Sequence, residues 1–294
     1  MLTGGRRAGD GAIAAGYDRE VPTPDPSTER TPGAARRRAL FGKVVDLVDE
    51  TPLWISVDGQ RLVTMRTRGR DADLALGFLI GEGIVDSAGD VRELRCIEGK
   101  DGAADEVRAL LRRPANGALR GRLSRAHEIR ASCGACGLED PAAILEGTSP
   151  LLPGVPRVPL RALSALQASM RRRQSLFSAT GGCHAALVAA PFDEVLGFGE
   201  DVGRHNALDK AIGEAARRGT DLSRAMVLLS GRAGYDLVMH CLRARIPVIL
   251  SVSAPSSLAF DLCEAAGATL VGFLRGEDYR VYCDASHRLA DARA

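Results

Sequence analysis

Cys133 and Cys136 stand in the segment HEIRASCGACGLED, residues 127–140, spaced as Cys-x-x-Cys and bracketed by glycine and alanine. That spacing suits metal binding, disulfide switching or carriage of sulfur. A structural zinc site needs four ligands, usually two such pairs. The chain has no second Cys-x-x-Cys and no His-x-x-x-His to complete one. A zinc deaminase site wants His-x-Glu together with Pro-Cys-x-x-Cys. Here His127 and Glu128 are adjacent, and Ser132 precedes the first cysteine. A thioredoxin-like pair caps a helix after a strand, and no such βαβ pattern lies behind this one. For sulfur carriage, Gly134 and Gly137 remove bulk beside the thiols, so a partner or a bound cofactor can approach. A persulfide is a reversible cap on a cysteine thiolate. A neighbouring thiol can attack it, release the outer sulfur as sulfide and leave a disulfide. Spacing alone leaves all three chemistries open.

A second concentration of reactive groups is GEDVGRHNALDK, residues 199–210. His205 and Asp209 are four residues apart on one helix face, close enough for the carboxylate to orient the imidazole. The plainer alternative is a capped helix start with a solvated polar face. In TGGCHAAL, residues 180–187, Cys183 reads as a half-buried strand residue and His184 as a group aimed at the same cleft. His127, His240 and His287 carry no signal for a role.

Residues 159–294 alternate helical and strand patterns, which implies βαβ crossovers and a partly parallel sheet. Ligands of such sheets lie beyond the carboxyl ends of the strands. Those ends carry Ser230-Gly231-Arg232, Ser253 to Ser257, and Phe273-Leu274-Arg275-Gly276. Ser256 and Ser257 open a helix, whose free N–H groups attract anions. Arg232 and Arg275 can take phosphate oxygens in pairs. Three such loops at one edge point to a phosphate-bearing ligand; taken singly, each loop reads as ordinary capping.

Upstream, KVVDLV and TPLWISVDGQRLVTMRTR read as strands with a turn at Asp58-Gly59. DADLALGFLIGEGIV reads as a helix capped by Asp71, and VRELRCI and DEVRALLR as further strands. The expected organisation is a disordered leader over residues 1–40, rich in Gly, Pro and Arg, then a small α+β domain over 41–120. A flexible loop carrying CGACG follows over 121–158, and a larger domain over 159–294.

The 294 residues are 45% hydrophobic, enough for a substantial core. Net charge is only +2, which argues against a protein built to coat nucleic acid. Lys43, Lys100 and Lys210 are the only lysines, so arginine carries nearly all the positive charge. Seven cysteines, five of them scattered near apolar runs, do not form a secreted disulfide framework. No apolar stretch follows Arg6 and Arg7, and none is long enough to span a bilayer. A soluble protein of the reducing cytoplasm is expected, without membrane contact.

Several stretches, in order, resemble the FdhD family of sulfur carriers needed to activate formate dehydrogenase. They are ETPLWISVDG, LALGFLIGEGIV, SCGACG, TGGCHAA, GEDVGRHNALDKAIG, LSGRAGYDLVMHCLRARIPVILSVSAPSSLA and TLVGFLRGEDYRVY, spread over residues 42 to 290. The resemblance implies an α/β fold whose larger domain is a three-layer, cytidine deaminase-like unit with a mixed sheet. It implies a sulfurtransferase in which a cysteine desulfurase loads a persulfide onto Cys133, assisted by Cys136. The sulfur then passes to a molybdenum (or tungsten) bis(molybdopterin guanine dinucleotide) held as a client, for delivery to apo-formate dehydrogenase. It also implies a homodimer. By position, the cofactor-binding stretch is Phe273, Leu274, Arg275, Gly276, Glu277 and Asp278, with acidic Glu277 and Asp278 where a glycine and a basic residue are expected. Arg232, Ser256 and His205 join it as candidate cofactor contacts. No permanently bound metal is expected. The alternative reading is a zinc-dependent, deaminase-like hydrolase of nucleosides or nucleotides.

Overall fold

The computed structural model describes residues 31–38, 44–100, 104–113, 144–145, 147–192 and 194–290. Cys133 and Cys136 lie outside the described residues, as does most of the stretch expected to form their loop.

A six-stranded mixed sheet organises the second half of the chain. Its strands are β8 (His184–Ala189), β9 (Val195–Asp201), β10 (Met226–Leu229), β11 (Val248–Ser251), β12 (Thr269–Arg275) and β13 (Asp278–Cys283), ordered β13-β12-β11-β10-β8-β9. The central β10, β11 and β12 are parallel; β8, β9 and β13 run antiparallel to their neighbours. The parallel strands are joined through α5 (Tyr235–Arg243) and α6 (Ser257–Ala265), the crossovers that the alternating pattern predicts. All four residues of β10 and of β11 are buried, as expected for strands covered on both faces. On one face Leu187, Leu228, Leu250 and Val271 pack with Leu163 and Leu166 of α2 (Arg161–Arg173). On the other, Val188, Val227 and Ile249 pack in one core with Leu208 and Ile212 of α4 (Arg204–Arg217), Val238 of α5 and Leu262 of α6.

The first half forms a four-stranded sheet ordered β4-β3-β6-β5, from β3 (Thr51–Val57), β4 (Gln60–Arg66), β5 (Val91–Ile97) and β6 (Asp105–Leu111). Asp58 and Gly59 both take positive φ, 46° and 80°, which the two-residue hairpin turn requires. Leu53, Ile55 and Val107 from this sheet belong to the same core as α4 and α5. The joint is α1 (Asp71–Gly81), buried over most of its surface, as a helix apolar on nearly every side must be. It crosses α4 backbone to backbone. A β-carbon at Gly77 would overlap the Asp209 carbonyl, and one at Gly213 would overlap the carbonyl of Asp73. Glycine is required at both positions by this contact.

Two local expectations change. Ala34–Arg38, inside the stretch expected to lack order, forms β1 and pairs antiparallel with β2 (Val44–Val48). Asp71 does not cap α1: the cap position is Arg70, and the Asp71 carboxylate instead receives two hydrogen bonds from the buried Arg66 guanidinium at 3.0 and 2.8 Å. Arg66 also reaches Asp105 at 2.6 Å, and this ion cluster outcompetes capping for the carboxylate.

A second buried arginine secures the end of the chain. Arg288 donates to the carbonyls of Val155 at 2.7 Å, Gly267 at 2.5 Å and Leu152 at 2.8 Å. Beside it, β7 (Val158–Pro159) pairs in parallel with β14 (Leu289–Ala290). A short helix, α3 (Ser175–Thr180), leads into β8. No helix among the described residues is long and apolar enough to cross a membrane.

Candidate functional site

The carboxyl ends of β10, β11 and β12 lie beside the start of β8 and the end of β9, because β8 is antiparallel to β10 and β9 to β8. The GEDVGRHNALDK segment therefore turns into α4 at this edge. Its polar groups divide into two sets.

The first set is buried and internally satisfied. The Asp201 carboxylate takes Lys210 Nζ at 2.7 Å, and accepts from the backbone N–H of Thr67 at 3.1 Å and of Gly203 at 2.9 Å. Asn206 donates to Asp201 at 3.1 Å and to the Met65 carbonyl at 2.7 Å, and accepts from Thr64 at 3.1 Å. Lys210 donates further to the Thr67 carbonyl at 2.8 Å. These bonds fasten the β4–α1 connection to the β9–α4 turn. Glu200 accepts the N–H groups of Leu176 and Phe177 at 3.0 and 2.9 Å and so caps α3.

The second set lies between α4 and α5, and here the expected pairing of His205 with Asp209 is replaced. His205 Nε2 lies 2.6 Å from Asp236 of α5, whose same carboxylate oxygen takes Arg204 at 2.9 Å. Asp209 instead meets His240 Nδ1 at 2.8 Å. Neighbours on one helix face lost to partners on the next helix because α5 crosses directly over Asp209. Burial pushes the Asp236 carboxyl up, but His205 and Arg204 outweigh it and hold the group well below the usual carboxylate range. His240 is buried between Asp209 and Glu82; burial disfavours its charge, yet the two carboxylates prevail and raise it to about 10. Glu82 is correspondingly held at about 2, chiefly by His240 against the effect of its own burial. The His205 and His240 rings meet edge to face, centroids 5.9 Å apart. Sequence reasoning missed His240, Glu82 and Asp236. The small Gly81 was the available signal, since a β-carbon there would overlap the His240 imidazole.

His184 begins β8 beside this group, next to Gly231. Burial, and then the charge of Arg204, lower its affinity for a proton. Its neighbour Cys183 is buried 3.5 Å from Glu200, and burial with that carboxylate pushes the thiol up to about 12. Cys241 and Cys263 are likewise raised, Cys241 by burial and Cys263 first by its hydrogen bond with Cys283 and then by burial. Such thiols are poor nucleophiles. Cys96, by contrast, is exposed on β5.

The three strand-end loops are joined to one another. Ala233 and Pro255 form a parallel bridge, Ser256 N–H donates to the Ala233 carbonyl at 3.0 Å, and Phe273 N–H donates to the Ser253 carbonyl at 3.2 Å. Ser256 caps α6, its hydroxyl accepting from Ala259 N–H at 3.2 Å. Arg232 is exposed on the first loop. Phe273 has positive φ, 54°, with its ring part exposed and the Arg280 guanidinium 5.7 Å from the ring centre. A non-glycine residue held in this region marks a position over-determined by its surroundings. Leu274 is fully buried and faces the α2 core, so it supports the loop from below. Arg275 to Asp278 form the β12–β13 turn, with all four residues exposed. Gln167 of α2 fixes that turn, donating to the Leu274 carbonyl at 2.8 Å and accepting from Gly276 N–H at 2.6 Å. Arg232, Arg275 and the Phe273 ring are thus carried on loops joined through their backbones, and guanidinium groups of this kind can take phosphate oxygens in pairs. Among the described residues, no three His, Cys, Asp or Glu side chains group to hold a metal ion.

The FdhD/NarQ family model matches residues 48–290. The chain belongs to the FdhD/NarQ family. The sulfur carrier protein FdhD of Anaeromyxobacter dehalogenans strain 2CP-C is 42% identical over 270 residues, covering 86% of this chain and 93% of that protein. The sulfur carrier protein FdhD of Nocardia farcinica is 43% identical over 263 residues, covering 84% and 89%. A crystal structure of a formate dehydrogenase accessory protein from Desulfotalea psychrophila aligns with a TM-score of 0.63 at 23% identity, over 85% of this chain and 94% of that one. That likeness establishes a shared fold. Family membership supports a role in sulfur carriage, and the zinc-hydrolase alternative is not favoured.

Proposed function

We propose that this FdhD/NarQ member is a sulfurtransferase that accepts a persulfide from a cysteine desulfurase on Cys133, with Cys136 as the assisting thiol. It passes the sulfur to molybdenum in a bis(molybdopterin guanine dinucleotide) client and so activates formate dehydrogenase. The observation that carries this reading is the FdhD/NarQ match over residues 48–290, a span that includes the chain's one Cys-x-x-Cys. The client sits at the joined strand-end loops. Arg232 and Arg275 take phosphate oxygens, the Phe273 ring meets a planar heterocycle, and Glu277 and Asp278 accept N–H groups. The larger unit is deaminase-like in build, supported by a sheet whose first strand, β8, lies between β9 and β10 and antiparallel to both. We place the chain in the cytoplasm as a homodimer.

Incubation with a desulfurase and cysteine, followed by intact-mass measurement, tests the reading. The wild type gains one sulfur atom, Cys133→Ala gains none, and Cys136→Ala loads but releases slowly. A wild-type chain that never gains mass would refute it.

A further inference from the structure

Two thiols meet where α6 packs against the β12–β13 hairpin. Cys263 lies on α6 and Cys283 closes β13. Both belong to the larger hydrophobic core, and the Cys263 thiol donates a hydrogen bond to the Cys283 sulfur. Ala268 links the two residues through its backbone. Its N–H donates to the Cys263 carbonyl at 2.8 Å, and its carbonyl accepts from the Cys283 thiol at 3.5 Å. Cys283 is also held in register opposite Leu270 of β12. α6, β12 and β13 together hold the two sulfurs side by side, as a bond between them requires.

The two thiols differ in access. Cys263 is fully buried, whereas Cys283 is 9% exposed. The hydrogen bond from Cys263 favours the thiolate of Cys283 and outweighs burial, so Cys283 is lowered. The same bond, with burial, raises Cys263. A small oxidant therefore meets Cys283 first, with Cys263 behind it as the resolving thiol. Cys241 of α5 shares this core, but it is fully buried and its thiol is raised by burial, which leaves it a bystander.

We propose that Cys263 and Cys283 are a modification site, converted by a peroxide to a disulfide that ties α6 to β13. The Cys283 thiolate attacks one peroxide oxygen; the O–O bond breaks, hydroxide leaves, and Cys283 becomes a sulfenic acid. The Cys263 sulfur then attacks the Cys283 sulfur, the S–O bond breaks and the S–S bond forms. The Cys263 proton departs with the hydroxyl group as water, and the proton that Cys283 gave up neutralises the hydroxide. Two thiols and one hydrogen peroxide thus give one disulfide and two waters. The bond closes a loop containing β12 and the β12–β13 turn, and α6 starts directly after the Ser253–Ser256 loop. It therefore stiffens the supports of two strand-end loops. The inference goes beyond sulfur carriage and does not depend on it.

The full chain is treated with hydrogen peroxide, digested without reduction and mapped by mass spectrometry. The expected product is a Cys263–Cys283 cross-linked peptide whose mass lies two hydrogens below the sum of the free peptides. Cys263→Ala should instead leave Cys283 as a sulfenic acid that dimedone captures. Cys283→Ala should leave Cys263 as a free thiol, and Cys241→Ala should cross-link as wild type does. Amides of β12 and β13 in the oxidised wild type should exchange about 100-fold more slowly, the effect of closing a loop of roughly 20 residues. Dithiothreitol should restore the original rate. The wild-type map decides the matter even where a variant fails to fold. Cys263 and Cys283 that stay free, or a bond from either to Cys241, overturn the proposal. Unchanged exchange across β12 and β13 in the cross-linked chain overturns the stiffening.

Discussion

At the β9–α4 corner, Asp201, Asn206 and Lys210 are buried and spend their polar atoms on one another and on nearby backbone. At the β12–β13 turn, Arg275, Glu277 and Asp278 are exposed and make no side-chain ion pair with the described residues. In the sequence the two stretches are similarly dense in charge. The difference lies in what each arrangement costs to maintain. A buried ion must be paired and hydrogen-bonded to be tolerated at all, so the corner is scaffold. Exposed charges cost little to display and are free to meet a ligand. Charge density alone therefore does not separate a site from the frame that holds it; the geometry of satisfaction does.

Removing Lys210 should give the largest contrast between these regions. Lys210→Met leaves Asp201 buried without its cation, and breaking a buried pair costs about 3–5 kcal/mol. Arg275→Ala should stay within about 0.5 kcal/mol, as surface changes generally do. Urea denaturation of the two variants measures both; equal losses would erase the distinction. The next test uses pH. His240 is raised to about 10 in the folded chain, so the folded state holds a proton that the unfolded state loses above its ordinary value of about 6.5. This stabilisation is complete below that pH and disappears as pH rises towards 10. Glu82, held at about 2, contributes in the opposite direction: its stabilisation is present above the normal carboxylate value and lost as pH falls towards 2. The urea midpoint should drop between pH 7 and 10 in wild type and be flatter in His240→Gln. A more local effect should come from the clamp on the exposed turn. Gln167→Ala removes two hydrogen bonds, costing about 1–3 kcal/mol, and should raise hydrogen exchange at Gly276 N–H while leaving that of the Asp201 corner unchanged.

Much of this fold is legible in the sequence because it is written in local periodicity. The β10–α5–β11–α6–β12 alternation, the Asp58-Gly59 turn and the buried face of α4 all follow from short-range pattern. The site is legible only in part. The strand-end loops could be listed from the crossovers, and they do join. His205 could be singled out, but its partner could not. Asp209, four residues away, was the obvious candidate, and only the crossing of α5 assigns Asp236 to His205 and Asp209 to His240. Glu82, Asp209 and His240 come from three separate helices or their ends, so no window of sequence contains the triad. β1 was hidden for a different reason: its AARRR sequence lacks the alternating apolar residues that mark a strand.

The Arg288 clamp bears on how the family can vary. One guanidinium grips carbonyls at Leu152, Val155 and Gly267, so the chain entering β7 is moored beside β14, its partner strand. Residues may be gained or lost between β6 and that mooring without the change propagating into the six-stranded sheet. The strand-end loops of the six-stranded sheet can thus keep their register while the length of chain ahead of the mooring changes.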